Sequence, residues 1–326
     1  MRRREFISLL GSTAAAWPLA ARAQQITKLP TIGFMGPATS SINAQWVNAF
    51  VERLHAHDWT EGRTVSIEYR WVEGSYERAA EIAAEFVRMK VDVIVTSSTP
   101  NTLATKKATS EIPIIFASAG DPVGGGLVAS LARPGGNVTG LSIQAVEITG
   151  KRVELSREAL HPLSRLAIMG NPDNSATMGE MRETQAAAEK LGLNATTFEI
   201  RRSEDIGRTF EKIKGHFDAV YVPAEPLVNT NRRRIGSFAL AAHLPTLFDA
   251  SEYVEAGGLM SYGANFPDLY RRTADFVDKV LRGAKPAEMP VEQPTKFDLA
   301  VNLTTAEVLG LSLPTTFLAR ADELIE

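Results

Sequence analysis

Short apolar runs closed by glycine, proline or small polar residues recur along this chain, and the recurrence itself happens twice. Ile32-Gly33-Phe34-Met35-Gly36 is echoed by Leu166-Ala167-Ile168-Met169-Gly170. Asp92-Val93-Ile94-Val95 is echoed by Asp218-Ala219-Val220-Tyr221-Val222, and a proline, Pro100 or Pro226, lies eight residues after each Asp. Ile112-Pro113-Ile114-Ile115-Phe116 is echoed by Leu244-Pro245-Thr246-Leu247-Phe248. The three pairs keep their order, at separations of 134, 126 and 132 residues. Units of that size are too large for a solenoid repeat. Within each unit the runs alternate with helical patterns, such as Ile42–His55 and Tyr76–Met89, and Val65–Tyr69 and Val138–Ile143 read as further strands. Strands separated by helices of this length imply βαβ units and a parallel sheet. The expectation is therefore an α/β chain of two doubly wound parallel-sheet lobes joined by a multi-segment hinge. The length of 326 residues agrees with about two domains.

Residues 1–23 read as an address rather than as part of a lobe. Arg2, Arg3 and Arg4 precede a short Ala-rich apolar stretch, Leu9–Ala21, and Ala21-Arg22-Ala23 supplies a small-x-small cleavage pattern. Arg3-Arg4-Glu5-Phe6-Ile7 is similar to the twin-arginine export motif. The expectation is cleavage after Ala23 and a periplasmic mature chain. The chain has no Cys, which excludes disulfides, thiolate metal sites, a Cys nucleophile and a lipid anchor. The net charge is −3, and loss of Arg2, Arg3, Arg4 and Arg22 with only Glu5 makes the mature chain more acidic. That gives no electrostatic case for nucleic acid.

In open α/β sheets, ligands bind beyond the carboxyl ends of the strands. Four of those ends carry a polar residue directly before proline: Thr99-Pro100, Asp121-Pro122, Asn171-Pro172 and Glu225-Pro226. Proline suits a first helical position and the preceding residue suits the cap. Each such start offers free N–H groups and a positive dipole end, suited to a carboxylate or phosphate. Ser97, Ser98 and Thr99 are three consecutive hydroxyls, more than one cap requires. Ser118 and Asp121 follow the next strand. The equivalents in the second unit are Asn171, Asn174 and Ser175, then Glu225, then Asp249. Hydroxyls on one lobe and carboxylates on the other suit a zwitterion, with its carboxylate at Ser97–Thr99 and its ammonium at Glu225, Asp249 or Asp121. Tyr262, beside Ser261 and Gly263, is expected to stack on a ring. No H-E-x-x-H, G-x-S-x-G, S-x-x-K or Walker A pattern occurs. No catalytic residue, metal or cofactor is therefore expected. Gly124-x-Gly126-x-x-Ala129 fits a dinucleotide fingerprint only loosely, and Arg232-Arg233-Arg234 reads as a solvated helix face.

Several stretches together carry a family pattern. They are the N-terminal Arg3-Arg4-Glu5-Phe6-Ile7, Gly62-x-x-Val65-x-Ile67-Glu68-Tyr69-Arg70-Trp71, Gly120-Asp121-Pro122-Val123-x-x-Gly126-Leu127-Val128, Arg133-Pro134-Gly135-Gly136-Asn137-Val138-Thr139-Gly140, Lys296-Phe297-Asp298-Leu299-Ala300-Val301-Asn302-Leu303 and Leu318-Ala319-Arg320-Ala321-Asp322-Glu323. On these the chain resembles exported ABC-transporter substrate-binding proteins, in particular those related to the tryptophan/tyrosine-binding branch. The resemblance implies a type I periplasmic binding-protein fold with a three-segment hinge. It implies a monomer that closes on a small-molecule ligand and docks on an ABC permease in the inner membrane. The duplication places the lobes at residues 24–143 plus 263–290 and 144–262 plus 291–326, with a tail from Thr295 that returns to the second lobe or braces the hinge. The crossings are expected near Leu141–Val146, Ser261–Ala264 and Pro286–Pro294. A transcription regulator shares this fold but would not carry an export signal. A secreted cofactor enzyme would need motifs that are missing. A receptor feeding a sensor kinase would carry the same features.

Overall fold

The computed structural model describes residues 28–326, so the expected export signal and its cleavage point lie outside the described residues. The first sheet contains β1 (Thr31–Gly36), β2 (Ser66–Trp71), β3 (Val93–Thr96), β4 (Ile114–Ala119) and β5 (Val138–Ser142), in the order β2-β1-β3-β4-β5 with every pairing parallel. The second contains β6 (Arg165–Gly170), β7 (Asn194–Glu199), β8 (Ala219–Tyr221), β9 (Thr246–Phe248) and β10 (Met260–Gly263), then β11 (Asp298–Asn302) and β12 (Glu323–Ile325). Its order is β7-β6-β8-β9-β10-β11-β12. The first five of those strands repeat the order of the first sheet. Only the β10–β11 pairing is antiparallel.

The sequence echoes have matching structural roles. Asp92, just before β3, accepts the Thr31 N–H at the start of β1 (2.7 Å). Asp218, just before β8, accepts the Ser164 and Arg165 N–H groups at the start of β6 (2.9 and 2.8 Å). Each carboxylate thus satisfies strand-end donors that the parallel ladder leaves unpaired. The Pro113 carbonyl accepts Ile94 N–H, and the Pro245 carbonyl accepts Val220 N–H. The same punctuation therefore fixes the same register in both sheets.

The helices are α1 (Ala44–Ala56), α2 (Tyr76–Met89), α3 (Thr99–Ala108), α4 (Thr149–Ala159), α5 (Ser175–Lys190), α6 (Ser203–Ile213), α7 (Pro226–Thr230), α8 (Arg232–Ala241), α9 (Ser251–Glu255), α10 (Phe266–Leu281), α11 (Leu303–Val308) and α12 (Thr315–Leu318). Helix α2 shows why they form. Ser75 caps it by accepting the Arg78 N–H, and Ala79, Ile82, Ala83 and Phe86 place one apolar stripe against the sheet.

The chain passes between the sheets three times. It leaves the first after β5. It returns after β10, where α10 packs on α1 and against β3, β4 and β5. It then lays Glu292 beside Leu141, with Glu292 N–H donating to Gly140 O and Ser142 N–H donating to Glu292 O. It finally crosses to β11. Trp46 of α1 stacks on Phe266 and Tyr270 of α10 (centroids 4.9 and 5.3 Å), which fixes the returning helix to the first lobe.

The proline rule for helix starts needs correction at three of its four positions. Glu225 caps α7 as expected. The α3 cap is Ser98, one residue before Thr99. The α5 cap is Asn174, because Asn171 Oδ1 first holds Asp173 N–H in a tight turn. No helix follows Asp121-Pro122. Asp121 instead takes Gly124 N–H on its side chain and Gly125 N–H on its carbonyl, and Gly124–Gly126 wrap around it. That turn also accounts for the glycine run without a dinucleotide.

Candidate functional site

In each sheet the strand order reverses direction at the first strand, β1 or β6, and the two reversal points face one another. Between them lies a narrow space of about 520 Å³ with its open mouth included, lined by residues of both lobes.

The first-lobe wall is built on the turn from β3 into α3. Ser98 sits at φ +67°, ψ 154°, a strained backbone for a residue with a Cβ. It is held there by its N–H on Ser118 O (2.6 Å) and by its carbonyl, which accepts Thr102 N–H and the Thr102 hydroxyl. The side chains are left over. Ser98 Oγ and Thr99 Oγ1 are buried without a hydrogen-bond partner, Ser97 Oγ has the Tyr270 hydroxyl as its neighbour, and all three residues line the cavity together with Ser118. Buried hydroxyls without partners are costly, so two of them together beside a helix start point to an absent acceptor or donor. Pro37, Trp46 and Phe266 complete this side.

The second-lobe wall comes from α5, α7 and α9. Asn174 lines the cavity while its Oδ1 holds Ala176 N–H (3.1 Å). Thr177 and Glu180 follow on α5, and Ala224, Glu225 and Asn229 surround α7. Tyr253 of α9 adds an aromatic ring to this wall, backed by Phe248 (centroids 5.0 Å). None of the lining residues is Lys, Arg or His.

Of the residues expected from the sequence, the cavity brings together Ser97, Ser98, Thr99, Ser118, Asn174 and Glu225. The others lie elsewhere. Asp121 caps its own turn. Asn171 is buried and donates to the Tyr76 hydroxyl (3.1 Å). Ser175 is exposed at the outer side of the α5 start. Asp249 is buried behind the wall, with Oδ1 on Ala224 N–H (3.0 Å) and Oδ2 unpartnered. The Tyr262 ring packs on Phe297 (5.9 Å) rather than on the cavity, because β11 pairs with β10 and covers that strand end.

Glu180 was not foreseen. A charged residue in a helix reads as a solvated face, yet Glu180 shares its face with Ala176, Thr177, Met181, Thr184 and Ala187, all buried. That spacing was the available signal. Its Oε1 accepts from Arg152 Nη1 (2.7 Å) and from the Tyr221 hydroxyl (2.5 Å). Burial pushes the carboxyls of Glu180 and Asp249 upward, and the Arg152 charge opposes this in both. Burial likewise raises Glu225, and it pushes Glu252 up to about 7.

Side-chain bonds also join the lobes around the cavity. Tyr76, at the start of α2, donates its hydroxyl to Glu225 Oε2 (2.7 Å). Trp46 Nε1 donates to Glu252 Oε1 of α9. The Arg232 guanidinium reaches the Ile42 carbonyl (3.3 and 3.4 Å). A Cβ on Gly120 would lie 2.8 Å from the Ala176 Cβ, so glycine is what lets the end of β4 and the start of α5 approach this closely.

The sequence matches the family model described as ABC transporter substrate binding protein over residues 40–325. The chain belongs to this family. The fold is that of type I periplasmic binding proteins. A curated relative of the same kind is a tyrosine-binding protein of Clostridioides difficile (strain R20291), 25% identical over 262 residues, which are 80% of this chain and 75% of the relative. Among solved structures of substrate-binding proteins, an ABC domain from Streptococcus pneumonia in complex with L-Trp is 27% identical. It covers 91% of this chain and 100% of its own, with a TM-score of 0.82. A ligand-free, open structure of a substrate-binding protein with adhesive properties from Clostridium difficile is 25% identical. It covers 91% of this chain and 99% of its own, with a TM-score of 0.63. In this substrate-binding protein, no helix among the described residues is long and apolar enough to cross a membrane.

Proposed function

We propose that this substrate-binding protein is the extracytoplasmic receptor of an ABC importer. In this reading it captures a zwitterionic organic solute, an aromatic amino acid or close relative, by closure of two lobes. The export signal at residues 1–23, of twin-arginine type and cleaved after Ala23, delivers it to the periplasm. There it acts as a monomer that hands its ligand to an inner-membrane permease. The lobes in this reading are residues 24–143 plus 263–290 and 144–262 plus 291–326, with Val291 and Glu292 at the start of the last segment still bonded to the first lobe.

The observation that carries the reading is the composition of the cavity. One wall offers a cluster of three buried hydroxyls at the start of a ten-residue helix, of which those of Ser98 and Thr99 are unpartnered, the other offers carboxylates, and aromatic rings stand on both. A carboxylate fits the helix start without any Lys or Arg. Trp46, Phe266 and Tyr253 offer aromatic surface to a flat side chain. Closure is supported by the bonds from Tyr76, Trp46 and Arg232 to the opposite lobe. It is also supported by the greater likeness to the L-Trp complex than to the open relative at similar identity.

A thermal-shift screen of the chain from Gln24 onward, against amino acids, aromatic acids and small amides, tests the reading. A ligand that binds only the folded state raises its melting temperature. L-tryptophan or L-tyrosine is expected to raise it by several degrees. No shift with any amino acid overturns the zwitterion assignment.

A further inference from the structure

Glu225 is the carboxylate that the sequence pattern offers to a ligand ammonium, but both of its oxygens already hold the fold. Oε1 accepts Val228 N–H as the α7 cap, and Oε2 accepts the Tyr76 hydroxyl from the other lobe. Glu180 is placed differently. It is 2% exposed, it lines the cavity, and both of its donors, Arg152 and Tyr221, bond Oε1. Among the described residues both side-chain donors fall on Oε1 and none on Oε2, which leaves Oε2 as the oxygen that Glu180 can offer to the cavity it lines.

The charges around it do not balance. Arg152 is also 2% exposed, and the guanidinium stays protonated under all ordinary conditions. It pairs with Glu180, and its charge also acts, without a direct bond, on a second buried carboxylate, Asp249, whose Oδ2 is unpartnered. Two carboxylates thus share one guanidinium, and no Lys, Arg or His lines the cavity. A buried charge left over in this way is expensive unless it gains a counter-ion or a proton. A cationic group on the ligand would complete the set.

We propose that Glu180 recognises the ammonium group of the ligand through Oε2, with Arg152 and Tyr221 as positioning residues that hold its other oxygen. The proposal rests on the receptor reading above and deepens it: the site selects primary amines, and the ligand amine contributes more to selection than the ligand carboxylate. Arg152 also gives Glu180 a rigid seat. Its Nη1 donates to Ala145 O (3.0 Å), in the segment that follows β5, and its Nε donates to Tyr262 O (2.7 Å), at the end of β10. The residue that holds the ammonium partner is therefore bonded to two of the three segments that join the lobes.

The test compares L-tyrosine with its two half-analogues, tyramine and 3-(4-hydroxyphenyl)propionate, and L-tryptophan with tryptamine and 3-indolepropionate. Calorimetric titrations use the wild-type chain from Gln24 and Glu180→Gln. In the wild type, the amino acid is expected to bind at least tenfold more tightly than the propionate, and the amine more tightly than the propionate. Glu180→Gln is expected to lose at least tenfold in affinity for the amino acid while its affinity for the propionate stays level or rises. Equal losses for both would mean that Glu180 only supports Arg152, and would overturn the proposal. The wild-type comparison needs no variant to fold. A wild type that takes the propionate as tightly as the amino acid overturns the role of Glu180 and leaves the receptor reading standing. A wild type that binds none of the six removes the aromatic amino-acid reading, and the proposal with it.

Discussion

Glu252 is a carboxylate that folding carries out of water, and Trp46 from the opposite lobe supplies its side-chain donor. Burial pushes its pKa up to about 7. The Trp46 bond pulls the other way, Glu255 adds to the rise and Arg232 opposes it. In the unfolded chain a Glu titrates near 4.3. Between these values the folded protein keeps a proton that the unfolded chain has released. The contribution of Glu252 to stability is therefore full below the unfolded value and lost as the pH rises through 7. A shift of this size corresponds to about 4 kcal/mol at most. In scanning calorimetry of the ligand-free protein, the melting temperature should fall between pH 5 and pH 8 by a few degrees on this account. Glu252→Gln should flatten that fall and be the more stable form at pH 8. A variant that tracks the wild-type curve would show that this carboxyl does not titrate there. Single residues were unevenly legible in the sequence. Ser97, Ser98 and Thr99 stood out because three hydroxyls exceed what one cap needs. Glu180, Arg152 and Tyr221 did not, because only packing between α4, α5 and β8 shows that their polar ends are buried together.

At the level of elements, α2 has two roles. Its apolar stripe seals one face of the first sheet, and its first residue, Tyr76, reaches the cap of α7 and Asn171 in the second lobe. Tyr76 does not line the cavity, so removing its hydroxyl tests closure rather than ligand contact. Tyr76→Phe should lose a bond of about 1–2 kcal/mol. Ligand affinity should fall by about 5- to 30-fold, mainly through faster release measured by stopped-flow fluorescence. Unchanged release would mean that the bond forms equally well without closure. Helix α2 was readable end to end because its stripe is local and regular. The segment after Asp121 was not, because Gly124–Gly126 spend their freedom on a turn around that side chain. The cross-lobe bonds of Tyr76 and Trp46 join residues 149 and 206 positions apart, a separation that carries no local pattern.

The whole molecule is two copies of one sheet order turned toward each other, with their strand reversals on a common cavity. This much was legible, because the strand-end Asp and Pro residues that fix register recur in both halves. The extension of the second sheet by β11 and β12 was not, since the tail has no counterpart in the first half. It is this extension that covers Tyr262 and leaves Trp46, Phe266 and Tyr253 as the aromatic walls. The most direct measurement of the central claim is a calorimetric titration of the chain from Gln24 with L-tryptophan and L-tyrosine. The expected result for at least one of them is saturable one-to-one binding with a negative heat-capacity change, as apolar surface is buried between the lobes. A cooperatively melting protein that gives no saturable heat with either, or with any other proteinogenic amino acid, would contradict it.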